Sequence, residues 1–265
     1  MSKNHLRVAA AQFSSGPSVP DNLEAALAAV RRAAEAGARL AVLPEATMFW
    51  FGGDVRSAAE PLDGPFASAI REEARRSGIN VAVGMFEPAA DGRVYNTLLV
   101  TGPDGETHYR KVHLYDALGA RESDTVAPGS SYVTTVVDGV TVGLATCYDL
   151  RFPDQFMALG RGGAEVIAVS ASWGDGPTKA DQWDVLVRAR AMDAQSWLLA
   201  CGQAWRAPQG AAPLGIGRSA VVDPLGMVRS QLSAAPGTIV YDLDLALVRE
   251  MRARLPTLSA APAVV

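Results

Sequence analysis

At 265 residues, with 49% hydrophobic and 20% charged residues, the chain has the makeup of a globular protein long enough to bury a large core, which excludes a disordered, collagen-like or coiled-coil protein. The net charge of −4 contains no block of like charges, which argues against nucleic acid or an anionic membrane as the main partner. The start, Met1 to Phe13, lacks the apolar core of a signal peptide, and no run approaches the roughly 18 apolar residues of a membrane span, so the expectation is one cytoplasmic domain over residues 1–265.

Taken in chain order, Leu6 to Gln12 reads as a strand apolar on both faces, as a strand covered on both sides must be. Asp21 and Glu24 resemble a helix N-cap and its reciprocal partner, Leu23, Leu27, Val30 and Ala34 share one helical face, and Gly37 ends the helix. Arg39 to Leu43 is a second buried strand, and Pro44, which cannot donate to a sheet, places Glu45 just past its end. Pro65 to Ser77 reads as a helix, Ile79 to Phe86 and Tyr95 to Thr101 as strands, and Pro103-Asp104-Gly105 as a turn. Glu106 to Arg110 is a short polar strand that delivers Lys111.

Asp138-Gly139 is a tight-turn signal between the strands Val133 to Val137 and Val140 to Ala145. Pro153 suits the first turn of a helix, so Cys147 falls on a short strand-to-helix connection, where new amide N–H groups favour a thiolate or a developing oxyanion. Ala164 to Ser170 follows as a strand and Thr178 to Gln195 as a long helix capped by Thr178. Trp197 to Gln203, Gly217 to Val222 and Thr238 to Asp242 continue the strands, with Asp223 to Gly226 as a turn and an irregular tail from about Leu255. Helices alternate with strands early and hairpins intrude, so the pattern is layered α/β rather than a pure parallel barrel.

Glu45, Lys111 and Cys147 each follow a strand directly, and side chains at the carboxyl ends of strands can converge on one site. Alone, each has a plain structural reading: a solvated loop acid, a surface charge, a buried thiol. Their contexts, Leu43-Pro44-Glu45, Arg110-Lys111-Val112-His113-Leu114 and Cys147-Tyr148-Asp149-Leu150-Arg151-Phe152-Pro153, closely resemble the three signatures of the nitrilase superfamily of carbon–nitrogen hydrolases. The likeness extends from Val8 to Gln12, through the helix bearing Trp183, Arg188 and Arg190, to Asp223-Pro224-Leu225-Gly226 and Leu255-Pro256. It implies a four-layer αββα sandwich, a homodimer or higher homo-oligomer formed through the face near the nucleophile, and a Glu45-Lys111-Cys147 triad with Glu122 as a second active-site glutamate.

A free thiol is only a few per cent ionised at neutral pH unless a neighbouring cation or base shifts it, and Lys111 and Glu45 supply those two influences. The expected chemistry is cleavage of a small, carboxylate-bearing amide through a thioester, with no metal or organic cofactor. The sequence Tyr148-Asp149 after the cysteine resembles ω-amidases and amidases of deaminated glutathione, whereas true nitrilases typically carry Trp-Glu there. A nitrilase or N-carbamoyl hydrolase using the same triad, a non-catalytic binding protein on this fold, and a thiol redox protein are the alternatives; the last lacks its Cys-x-x-Cys pair.

Tyr148, Arg151 and Trp173 are candidate substrate-binding residues, Arg151 or Arg218 being available for a carboxylate, although Asp149 and Asp154 offer Arg151 a local ion pair. Met48 to Gly53 either walls the pocket or packs in the core. Cys201, inside an apolar run, reads as a packed core thiol, and His5, His108 and His113 lack the spacing of a metal site. Three departures from the family pattern are Gly217-Arg218-Ser219, where Gly-His-Ser is common, Asp193, where glutamate is common, and an ending without the basic residues seen in many members.

Overall fold

The structure is a computed structural model that describes residues 4–207 and 215–259. In chain order the strands and helices are β1 (His5–Gln12), α1 (Val19–Glu35), β2 (Leu40–Val42), α2 (Pro65–Ser77), β3 (Asn80–Pro88), β4 (Val94–Gly102), β5 (Gly105–Arg110) and β6 (Thr134–Val137). There follow β7 (Val140–Thr146), α3 (Pro153–Arg161), β8 (Val166–Ala171), α4 (Lys179–Ala194), β9 (Trp197–Gly202), β10 (Ala220–Val222), β11 (Val228–Gln231), β12 (Gly237–Asp244) and α5 (Leu245–Arg254). Two six-stranded sheets result, with orders β12-β1-β2-β3-β4-β5 and β11-β10-β9-β8-β7-β6.

Period-two alternation explains the layering. Leu6, Val8 and Ala10 of β1 face the second sheet and join Leu144, Ala168 and Leu199 in the core between the sheets. Ala9, Ala41 and Val81 point the other way, against Ala26, Val30 and Phe66 of α1 and α2. The second sheet does the same, packing Ala145, Ile167 and Val169 against Phe156, Trp183 and Val187 of α3 and α4. Strands covered on both faces are apolar at nearly every position, and the layers run helix, sheet, sheet, helix, the expected αββα sandwich. No helix among the described residues is long and apolar enough to cross a membrane.

Some boundaries differ from the sequence reading. Ser18, not Asp21, caps α1, accepting from the Asp21 N–H, because Pro20 suits the first turn and moves the start back. The buried face of α1 centres on Asn22, Ala26, Ala29, Val30 and Ala33, while Leu23, Leu27 and Ala34 flank it. Asn22 is turned inward by its bonds to the Gly16 and Met48 carbonyls at 2.9 and 3.0 Å. Thr178 precedes α4 in the left-handed region at φ 62° and makes no side-chain cap. β11 and α5 are elements the periodicity did not signal: β11 is exposed on most positions, and α5 buries only Leu245 and Val248. Of the tail, residues 255–259 are irregular as expected, and 260–265 lie outside the described residues.

Candidate active site

Three strand ends bring the first residues together. Glu45 lies just beyond β2, in a loop that crosses β3 so closely that a Cβ on Gly84 would stand 2.8 Å from the Glu45 Cα and 2.7 Å from the Ala46 nitrogen. Only glycine allows that approach. Lys111 follows β5 and is tied back to β4 by its N–H on the Asn96 carbonyl at 2.9 Å. Cys147 follows β7, starts a 3₁₀ turn over Cys147–Arg151, and sits at φ 47°, a left-handed conformation that L residues seldom adopt.

Lys111 Nζ donates to Glu45 Oε1 at 3.1 Å and to Glu122 at 2.9 and 3.1 Å, with all three side chains nearly sealed from solvent. Asn96 Nδ2 donates to Glu45 Oε1 at 2.8 Å and Glu122 Oε1 at 3.2 Å, the Ser172 N–H reaches Glu45 Oε2 at 2.6 Å, and the Tyr115 N–H reaches Glu122 Oε2 at 2.7 Å. Every carboxylate oxygen therefore has a donor. Burial alone would lower the Lys111 ammonium, but Glu122, Glu45 and Cys147 outweigh it and hold it well above the ordinary lysine value.

Glu45, Lys111 and the Ser172 N–H are the polar neighbours that act on the Cys147 thiol. Enclosure by protein and the Glu45 charge raise its pKa well above the ordinary thiol value, against the opposing pull of Lys111. Burial and the neighbouring carboxylate favour the proton on sulfur more than the buried ammonium favours its loss. Such an arrangement can move the proton from sulfur to carboxylate as a bond forms.

A third buried carboxylate joins the loops. Asp149 is fully buried and accepts from the Thr146 N–H at 2.8 Å, the Tyr109 hydroxyl at 2.7 Å and the His113 N–H at 3.3 Å, with His113 Nδ1 at 2.8 Å. The His113 ring stacks on Phe152 at 3.8 Å. Residues flanking Lys111 and Cys147 are thus held by one side chain.

These groups open onto a cavity of about 690 Å³. Glu45, Lys111, Glu122 and Cys147 line it, as do the predicted Tyr148, Arg151 and Trp173. Arg151 makes no ion pair with Asp149 or Asp154; it donates to Gln182 Oε1 at 2.5 Å and lies 5.0 Å over the Trp173 ring. Arg218 is directed elsewhere, in an ion pair with Asp184, and Asp193 is paired with Arg190. Of the run Met48 to Gly53, Met48 and Phe49 are core while Phe51 reaches the cavity. Cys201 is buried between the sheets, its pKa pushed up to about 12 by burial.

Sequence reasoning missed Asn96, Ser172, Tyr115 and Lys179. Asn96 is inconspicuous inside a strand, and the Tyr115 and Ser172 contributions include backbone N–H groups that no residue type announces. Lys179 was findable: the loop after β8 leaves a strand's carboxyl end as the other three loops do.

A profile of the carbon–nitrogen hydrolase family matches residues 7–253. A hydrolase of Mycobacterium tuberculosis (strain ATCC 25618 / H37Rv) is 47% identical over 96% of this chain and 94% of its own. The deaminated glutathione amidase of Escherichia coli O157:H7 is 34% identical over 96% of both chains. Among solved structures, a mutant amidase from Nesterenkonia sp. AN1, carrying the acetamide moiety of fluoroacetamide covalently on its active-site cysteine, superposes with a TM-score of 0.80 at 27% identity, covering 96% of this chain and 97% of that one. With this coverage, and with an αββα sandwich whose strand ends carry the three signature segments, the chain belongs to the carbon–nitrogen hydrolase family and is an amidase-like enzyme of the nitrilase superfamily.

Proposed function

We propose that the protein hydrolyses a small amide bearing a carboxylate to the acid and ammonia, with Cys147 as nucleophile and Glu45 as the shuttle of protons. The observation that carries this reading is that Cys147 lines the same cavity as the Glu45-Lys111-Glu122 cage, near enough for the Glu45 and Lys111 charges to act on its thiol. Glu45 takes the thiol proton as sulfur bonds to the amide carbon. The oxyanion is met by the Lys111 ammonium and the Tyr148 N–H. As the C–N bond breaks, Glu45 gives its proton to nitrogen and ammonia leaves a thioester. Water then attacks with its proton passing to Glu45, the C–S bond breaks, and Glu45 returns the proton to sulfur. Glu122 keeps Lys111 charged and aimed.

Amide is preferred to nitrile because Tyr148-Asp149 follows the cysteine, and the similarity to a deaminated glutathione amidase supports the same direction. The carboxylate preference is supported by Arg151, whose charge faces the cavity without an acidic partner among the described residues. The proposal includes a homodimer, supported by exposed apolar side chains on α4 (Val185, Met192) and on the hairpin beside it (Met227, Val228); sedimentation velocity showing only monomer removes that part. The decisive measurement is ammonia release from glutaramate, an uncharged amide of equal length and the matching nitriles, beside Cys147→Ala. Amide turnover that Cys147→Ala abolishes is expected; nitrile turnover above every amide overturns the assignment.

A further inference from the structure

Lys179, the first residue of α4, carries a second charge on the same cavity as Arg151. Its ammonium lies 5.4 Å from the Tyr115 ring centre, 5.8 Å from that of Trp173 and 3.4 Å from the Tyr115 hydroxyl. Arg151 approaches that same Trp173 ring at 5.0 Å and the Tyr148 ring at 5.8 Å. Of its five N–H donors one is engaged, on Gln182. Neither cation has a carboxylate partner among the described residues, whereas the other two on the cavity do: Lys111 with Glu45 and Glu122, Arg121 with Asp124.

Ring faces compensate a cation only in part, and two like charges gathered on one indole repel each other. An anion between them relieves both deficits. Asp175 also lines the cavity, but its exposed carboxylate accepts from the Trp205 indole at 3.1 Å and the Gly176 N–H at 2.8 Å and is screened by water.

We infer that Lys179 is a specificity-determining residue: with Arg151 it forms a two-cation subsite that binds a carboxylate on the acyl side of the amide. This rests on the amide-hydrolase reading above and adds the residue that selects the substrate class. A planar guanidinium and a mobile ammonium suit one carboxylate, the first aligning its two oxygens and the second adding a point charge. Charge at this end of the cavity leaves the Glu45-Lys111-Glu122 cage untouched, so its effect is on which amide is taken rather than on how the bond is broken.

Two measurements separate the subsite from the chemistry. Glutarate binding by calorimetry, to Cys147→Ala and to Cys147→Ala/Lys179→Gln, needs no turnover. Loss of a charge-assisted contact should weaken binding about 10- to 100-fold, and a change below about fivefold overturns the subsite. In the active protein, the ratio of kcat/KM for glutaramate to that for pentanamide should fall in Lys179→Gln, and Lys179→Glu should turn the preference toward 5-aminopentanamide. An unchanged order of the three substrates in Lys179→Glu also overturns it. If the wild-type protein hydrolyses none of the three, the amide reading fails, while the glutarate titration still decides whether Lys179 holds carboxylates.

Discussion

Where Glu45, Lys111 and Glu122 meet, every charged oxygen has a protein donor, whereas around Trp173 the charges of Arg151 and Lys179 lie against aromatic rings with no acidic partner among the described residues. The carboxylates of the first group have their donors before any ligand arrives. These donors need not reorganise when charge develops, which is what stabilising a transition state requires. The second group is left with bonds to make, which is what selecting a ligand requires. One cavity thus divides its labour between a finished part and an open part, and substitutions should separate the two.

The largest effect should come from the finished part. Cys147→Ala should reduce amide hydrolysis to background, and mass spectrometry of the wild-type protein with a slow amide should find the acyl group on Cys147. Cys201→Ala is the contrast, since that thiol is sealed between the sheets and should cost ~1 kcal/mol of stability with activity retained. Activity in Cys147→Ala equal to wild type would end the division at its root.

Next in size is Lys111→Ala. Removing one oxyanion donor costs about 100- to 1000-fold, and here the loss should fall in kcat. It also leaves Glu45 and Glu122 as two buried carboxylates without their shared cation, so thermal melting has to accompany the kinetics. A loss confined to KM would move Lys111 from the finished part to the open one.

The raised thiol pKa has a direction that can be checked. Burial and the Glu45 charge favour the protonated sulfur, so the thiolate is scarce at neutral pH and its share grows as pH rises. Below the pKa that share grows about tenfold per pH unit, or about 100-fold from pH 7 to 9, and alkylation of Cys147 by iodoacetamide should climb with it. A plateau before pH 9 would mean that Lys111 outweighs Glu45. In Glu45→Gln the charge contribution is gone while burial remains, and the curve should shift to lower pH.

Smaller still is the effect of loosening the Asp149 clasp. Tyr109→Phe removes the 2.7 Å bond to Asp149 together with the acceptor for the Val112 N–H, and His113→Ala removes the stack on Phe152. Neither residue lines the cavity, so the expected loss is about 10- to 100-fold in kcat through misplacement of Lys111 against Cys147, with KM little changed. A raised KM with kcat intact would show that the clasp shapes the open part instead.

This division also explains what the sequence made legible. Glu45, Lys111 and Cys147 announce themselves because each is a reactive type that follows a strand within a signature segment, and strand ends are where an α/β fold gathers its site. Strands apolar on both faces made a layered α/β fold legible, while the four-layer αββα order came from the resemblance to the nitrilase superfamily. Asn96, Ser172 and Tyr115 were hidden because their roles come from where the backbone brings them, Asn96 from the strand next to β5 and Ser172 from one residue beyond β8. α5 was missed because a helix burying two residues leaves almost no periodic stripe.

The smallest effect belongs to the rim of the open part. Thr178, directly before Lys179, is exposed and sits at φ 62°. A β-branched residue there costs roughly 1–2 kcal/mol, which glycine avoids, while glycine gives back about 0.5–1 kcal/mol through the freedom of the unfolded chain. The Thr178 hydroxyl accepts one exposed bond, from Gln182 Nε2 at 2.9 Å, so little else is lost. Thr178→Gly should therefore raise stability by ~0.5 kcal/mol, a Tm increase of about 1–2 °C for a chain of this length. The same change loosens the approach to Lys179 and should raise KM for a carboxylate-bearing amide about twofold, the equivalent of ~0.5 kcal/mol, with kcat intact. Cys147 holds a similar left-handed conformation at φ 47°, but there the residue lines the cavity beside Glu45 and Lys111. If Thr178→Gly instead lowers Tm by several degrees, the rim is as firmly built as the cage, and the contrast between finished and open parts must be redrawn closer to Arg151.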